Sequence, residues 1–156
     1  MNTNEKLIEH FYTCFSRKDF KGMQDCYADK ATFNDSIFKN LTSAQVKDMW
    51  EMLLTKSKDI RIEFSRISAN DHIGSAHWDA YYTFSATGNS VVNRVDATFE
   101  FENGKIVKHT DSFSFYSWAK QALGLPGLLL GWTTYLKSKV ATNAMKNLQS
   151  FKSTQP

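Results

Sequence analysis

An α+β domain with a largely antiparallel sheet is what the order of periodicities in this chain predicts. Apolar residues recur at helical spacing through roughly the first third, and from Asp59 the period switches to two. Four strands follow with hairpin-length connections, and helices first with sheet later means a sheet packed on its own N-terminal helices. With 156 residues, 42% hydrophobic and 14% aromatic, the chain carries enough apolar matter for one sizeable core. A single domain over 1–156 is therefore expected, with 117–156 as a helical extension of it.

Residues 3–17 place Leu7, Ile8, Phe11, Cys14 and Phe15 on one face behind a Thr3/Asn4 cap, an amphipathic helix of about four turns. A short helix over 19–28 follows, started by Asp19, with Phe20, Met23 and Tyr27 inward. Ala31–Ile37 reads as a short strand. Thr42-Ser-Ala-Gln45 then opens a third helix, near 42–56, carrying Val46, Met49, Trp50, Leu53 and Leu54 on one side. Strands are expected near 59–69, 72–87, 90–103 and 105–117, neighbours among the last three antiparallel. Thr87-Gly88-Asn89 and Asn103-Gly104 supply the turns, the second being the strongest hairpin signal present. In the tail, Trp118–Leu123 suggests one or two helical turns and 132–150 a last helix. The intervening Leu125-Pro-Gly-Leu-Leu-Leu-Gly-Trp132 reads as an apolar loop that something must cover, either the domain's own pocket or a second subunit.

Composition closes several routes. The net charge of +3 comes from interleaved basic and acidic residues, so no clustered basic face for nucleic acid is expected. Cys14 and Cys26 have no Cys or His at metal-ligand spacing, which predicts two reduced, buried thiols and no metal or cofactor. Charges in MNTNEKLIEH stand where a signal peptide needs an apolar run, and no stretch reaches the ~18 apolar residues of a membrane span. A cytoplasmic protein with no membrane partner is the expectation. No glycine-rich phosphate loop, Gly-x-Ser-x-Gly elbow or Cys/His nucleophile pair is present.

Candidate chemistry lies in polar residues at alternating strand positions. His77 and Asp79 share a face with Tyr81 and Thr83; His109 and Asp111 share one with Phe113 and Phe115. The aromatic rings mark these as the core-facing sides of their strands, so each carboxylate must be paired, hydrogen-bonded or protonated. Asp35, in line with Phe33 and Ile37, is a third carboxyl. Asp111, Asp79, His77, His109 and Asp35 are thus the candidate catalytic residues, walled by Phe11, Phe33, Trp50, Tyr81, Phe99 and Phe113, and suited to proton transfer or water activation. Ordinary salt-bridged core polars are the plainer alternative for any one of them.

The segments Tyr27–Asp35, Trp78–Gly88, Val92–Phe101, Asn103–Phe113 and Trp118–Gly124 together resemble the SnoaL-like branch of the nuclear transport factor 2-like superfamily. That resemblance implies a cystatin-like cone, one curved sheet wrapped on three N-terminal helices, with a ligand pocket at the wide end and a homodimer on the sheet's outer face. Relatives in that superfamily include polyketide cyclases, ketosteroid isomerases and limonene epoxide hydrolases. Asp35 matches the isomerase base, while Phe11 stands where the isomerase donor tyrosine is expected, with Tyr12 one step round the helix. The isomerases' second donor, a protonated acid, falls at Ala97 when Phe99-Glu-Phe101 is the anchor, and at Asp96 only if a residue is dropped, which turns it to the opposite face. Against epoxide hydrolases, His77-Trp-Asp79 and Asp111 occupy the Arg-x-Asp and second Asp positions, and Phe33 and Asp35 those of the water-holding Tyr and Asn. A cyclase needs one acid/base in an apolar pocket, a demand Asp111 beside His109 meets.

The leading expectation is a homodimeric enzyme or enzyme-like binding protein for a small apolar molecule with a carbonyl or related polar group. A non-catalytic binding or interaction module is the alternative. Convergence of the carboxylates decides between them: Asp111 out of reach of both Asp79 and His77 removes the five-residue site and leaves the binding module.

Overall fold

A computed structural model describes residues 1–153. Helix α1 (Thr3–Ser16) starts at an Asn2/Glu5 capping box and buries Ile8, Phe11, Tyr12 and Phe15 on one side. Helix α2 (Phe20–Gln24) follows and is shorter than expected. Tyr27 belongs to strand β1 (Tyr27–Asn34) instead, because Cys26 already accepts a hydrogen bond from Ile106 across the sheet. Strand β2 (Leu41–Thr42) leads into α3 (Ser43–Lys56), whose capping box is Thr42/Gln45. The remaining strands are β3 (Arg61–Ala69), β4 (Ile73–Phe84), β5 (Asn89–Glu102) and β6 (Lys105–Ser112).

These strands form one curved sheet in the order β2-β1-β6-β5-β4-β3. The pairs β3–β4, β4–β5 and β5–β6 are antiparallel as expected, whereas β1 runs parallel to β6. Asn103 and Gly104 both take positive φ, the conformation a two-residue hairpin requires and the Asn-Gly pair predicts. Helices α1 and α3 fill the concave side. Asn4 anchors α1 by donating to the carbonyls of Asn70 and Asp71 in the β3–β4 turn. Cys14 and Cys26 are free and buried, and burial pushes the Cys26 thiol up to about 12. No helix among the described residues is long and apolar enough to cross a membrane.

The expected strand over 105–117 stops at Ser112, because Ser114 caps α4 (Phe115–Ala122) through its hydroxyl and the Ser117 amide. Phe113 and Phe115 therefore do not continue the β6 face that carries His109 and Asp111. Helix α4 lies on β5, where the Gln121 side chain donates to and accepts from the Val92 backbone like one more strand residue. Phe115, Trp118, Ala119 and Ala122 build a second apolar cluster over Val91 at that end of the sheet. Residues Leu125–Leu130 form a short helix, α5, where a loop was expected, and α6 (Thr134–Ser153) returns to α3 and places Leu148 in the main core.

Candidate functional site

Strand register decides which polar groups enter the interior. Along β4 the buried set is Ala76, Trp78 and Ala80, so His77, Asp79 and Tyr81 point to the outer face. On β6 a bulge opposite Glu100/Phe101 skips Val107, pairing Phe101 with Ile106 and Phe99 with His109. Ile106, His109 and Asp111 consequently all face inward.

His109 and Asp111 are 0% and 3% exposed. His109 Nε2 stands 2.9 Å from Asp111 Oδ1, and Nδ1 stands 2.8 Å from the Tyr27 hydroxyl. Trp50 donates its indole N–H to the Tyr27 oxygen at 2.9 Å, and Trp78 donates to Asp111 Oδ1 at 3.4 Å. One assignment satisfies the whole chain: Trp50 N–H to Tyr27, Tyr27 O–H to Nδ1, and Nε2–H to the Asp111 carboxylate. Burial raises the Tyr27 hydroxyl well above its ordinary pKa, which keeps it a donor. Around the imidazole stand Phe99 at 4.4 Å, Phe33 at 5.0 Å and Phe11 at 5.7 Å between ring centroids.

Two further groups border this chain. The Tyr12 hydroxyl is fully buried and has no hydrogen-bond partner among the described residues. Burial first, and then the Asp111 charge, raises its pKa. An orphaned buried hydroxyl costs about 1–3 kcal/mol, so it is a donor in want of an acceptor. Asp35 lies just past β1 in a tight turn rather than on the strand. Its Oδ1 accepts from the amides of Ile37 at 2.7 Å and Phe38 at 2.6 Å. Burial pushes the Asp35 carboxyl up to about 6; the two amides pull the other way, and the charge of Asp111 adds to the rise. Asp35 is half-buried, and Ser36 beside it bonds the Phe113 carbonyl at 2.7 Å, at the seam between main core and α4 cluster.

The five candidates accordingly divide. His109 and Asp111 meet, and Asp35 borders them. His77 and Asp79 lie on the other side of the sheet, where His77 bridges Asp79 at 2.9 Å and Asp96 at 2.8 Å, and Arg94 stands 3.3 Å from Asp79. Tyr81 is not a pocket wall: its ring lies 4.0 Å from the Arg61 guanidinium. Of the expected wall, Phe11, Phe33, Trp50 and Phe99 are core residues and Phe113 stands at the seam. The sequence reading missed Tyr27, taken for a helix residue, and gave Tyr12 only its place beside Phe11. A groove of about 510 Å³ on the outer sheet face, bordered by Ile73, Ser75, Thr98, Glu100 and Lys108, does not reach the buried pair. Among the described residues no three His, Cys, Asp or Glu side chains are placed to share a metal ion.

This architecture, an open curved sheet closed on α1 and α3, defines the nuclear transport factor 2-like, cystatin-like class. The chain belongs to the SnoaL-like domain family, whose model matches residues 8–109. Solved structures agree on the fold. A putative polyketide cyclase from Xanthomonas campestris pv. campestris is 19% identical, with 74% of this chain and 93% of that one covered at a TM-score of 0.63. One from Pseudomonas putida KT2440 is 17% identical, with 78% and 98% covered at 0.65. An M. tuberculosis LEH-like epoxide hydrolase is 18% identical, with 82% and 96% covered at 0.62. No curated protein matches in sequence.

The raised Asp35 pKa makes a stability prediction. Its folded value of about 6 exceeds the ordinary 3.8, so the protonated carboxyl favours the folded state. That contribution is complete below the unfolded pKa and is lost as pH rises through about 6. Allowing for partial exposure, wild type is expected to lose about 2 kcal/mol relative to Asp35→Asn between acid and neutral pH, read as urea midpoints. A difference between the two that is independent of pH contradicts the assignment.

Proposed function

We propose that this protein binds a small apolar molecule through a carbonyl or related polar group, which takes its hydrogen bond from Tyr12 and sits near Asp35. The observation that carries this reading is the orphaned Tyr12 hydroxyl, held in an aromatic interior beside Asp111. A ligand oxygen there would satisfy the donor without breaking a hydrogen bond of the existing chain, because the bonds of Tyr27, His109 and Asp111 do not involve Tyr12. Binding leads because Asp111 pairs with neither Asp79 nor His77, which the sequence reading made the condition for its five-residue site.

Proton transfer on the bound molecule is a second reading, favoured by the Asp35 pKa of about 6. A carboxyl near that value is ionised at neutral pH yet remains a competent base. In this reading Asp35 takes a proton from carbon adjacent to the carbonyl, the C–H pair moves into the forming enolate, and Tyr12 donates to its oxygen. Returning the proton to another carbon completes an isomerisation or primes a cyclisation, the class of chemistry the superfamily resemblance suggests. Because His109 and Asp111 are sealed, entry requires the seam at Ile37 and Phe113 to open.

Native mass spectrometry of protein from its source should reveal a co-purifying small molecule, and Tyr12→Phe separates the readings. The variant is expected to be as stable as wild type or about 1 kcal/mol more so, while losing the ligand. A loss of stability means the hydroxyl is already satisfied and overturns the proposal. Asp35→Asn and Asp111→Asn should retain the ligand under the binding reading; if turnover exists, its abolition by Asp35→Asn in a folded, ligand-binding variant establishes the second.

We also propose a homodimer through the outer sheet face, which carries Arg94, Asp96, Thr98 and Glu100 on β5; Thr98 and Glu100 border the groove and Ile73 beside them is exposed. Sedimentation at micromolar concentration should give a dimer, and a clean monomer refutes it.

A further inference from the structure

The tail carries its apolar residues the wrong way round for a soluble helix. Ordinarily the large apolar side chains of a surface helix face the core. In α5 the residue buried against α4 is Gly127, where a Cβ would fall 1.9 Å from the Ala119 carbonyl oxygen. Gly131, just beyond the helix, also packs on α4, its Cβ position 3.0 Å from the Tyr116 ring and 3.2 Å from the Ala119 side chain. Glycine thus lets α5 dock by its backbone, and every leucine is left outside: Leu125 is 64% exposed, Leu128 50%, Leu129 59% and Leu130 44%. Trp132 and Tyr135, 76% and 69% exposed, extend the same surface. Tyr116 braces it by donating to the Leu128 carbonyl.

Charge selects the occupant. From Ser112 to the end of the sequence there is no aspartate or glutamate, whereas Lys120, Lys137, Lys139, Lys146 and Lys152 are all there. Lys152 is spent on Asp48 at the far end of α6. Lys120, Lys137 and Lys139 are exposed; Lys120 lies over the Tyr116 ring that braces α5, Lys139 borders Tyr135, and Lys137 stands in the first turn of α6. A two-fold contact between copies through this face would bring lysines together with no acid of the segment to meet them. An anionic lipid surface meets both halves of the pattern: leucines enter the acyl boundary, Trp132 and Tyr135 lie at headgroup level, and lysines contact phosphates.

We propose that α5 and the start of α6 dock this protein onto anionic membrane surfaces, with Leu125, Leu128, Leu129, Leu130 and Trp132 inserted and Lys120, Lys137 and Lys139 on the headgroups. Such docking is peripheral and needs no spanning helix. The expectation of no membrane partner rested on spanning length, which does not bear on it. It is independent of the ligand proposed above, since the surface lies outside the buried chain.

Flotation of the full chain with phosphatidylcholine vesicles, with and without phosphatidylglycerol, tests it. Binding to the anionic vesicles alone, weakened by added salt, is expected. A blue shift of tryptophan emission should accompany binding and vanish in Trp132→Phe, because Trp50, Trp78 and Trp118 are already buried. Leu129→Glu should cut partitioning at least about tenfold, the factor a buried leucine's transfer supplies, with circular dichroism and melting unchanged since the residue is exposed. Lys137→Glu with Lys139→Glu should remove the preference for anionic lipid. Absence of binding to either vesicle, or binding indifferent to both variants, overturns the proposal. So does sedimentation in which Leu129→Glu splits an oligomer while vesicles bind nothing, the result of a copy-to-copy interface.

Discussion

Burying one imidazole is the constraint around which the rest of this fold is arranged. His109 has no exposure, so both ring nitrogens must be satisfied from inside, and Tyr27 and Asp111 do this from β1 and β6. Removing one partner of such a buried pair costs about 3–5 kcal/mol, against ~0.5–1.5 kcal/mol for a single aromatic contact. Polar pairing therefore outweighs any one of the ring contacts in fixing register. A slip of β6 by one residue would bring Lys108 and Thr110 inward and expel His109 and Asp111. The skipped Val107 lets Ile106 and His109 both face the core, and the parallel pairing of β1 with β6 brings Tyr27 into range.

That closed chain separates structural polar groups from available ones. Trp50, Tyr27, His109, Asp111 and Trp78 answer one another's hydrogen bonds, which makes them a scaffold. Tyr12 and Asp35 stand at its edge: one a buried donor without an acceptor among the described residues, the other a half-buried carboxyl held only by two backbone amides of its own turn. The proposed ligand contacts fall at this edge, and the hydrogen-bonded chain supports them. The α4 cluster then acts as a cap, sharing Phe113 and Tyr82 with the main core.

Much of this was legible in the residues. Periodicity identified α1, α3 and the four long strands, and the inward facing of His109 and Asp111 followed from alternation, even though Phe113 and Phe115, cited beside them, turned out to lie beyond the strand. The face of β4 was misassigned by treating His77, Asp79 and Tyr81 as core-facing. The signal for the opposite face was present in Ala76, Trp78, Ala80, Tyr82 and Phe84, an apolar set at the same period. The alanines flank Trp78, which fills the space on that face. Tyr27 could not be placed from local pattern, because helical and strand readings overlap at Met23–Tyr27 and only the parallel pairing with β6 decides. Burial of Gly127 with its leucines outward was equally hidden, since the sequence shows an apolar run without showing which side the backbone docks.

The central claim is that His109 is held in one tautomer by a closed network and does not exchange protons with solvent. Long-range 1H–15N NMR of the imidazole tests it directly. The account predicts a proton on Nε2 that exchanges slowly with water and an unprotonated Nδ1 accepting from Tyr27. A proton on Nδ1, or exchange as fast as that of an open imidazole, would contradict it.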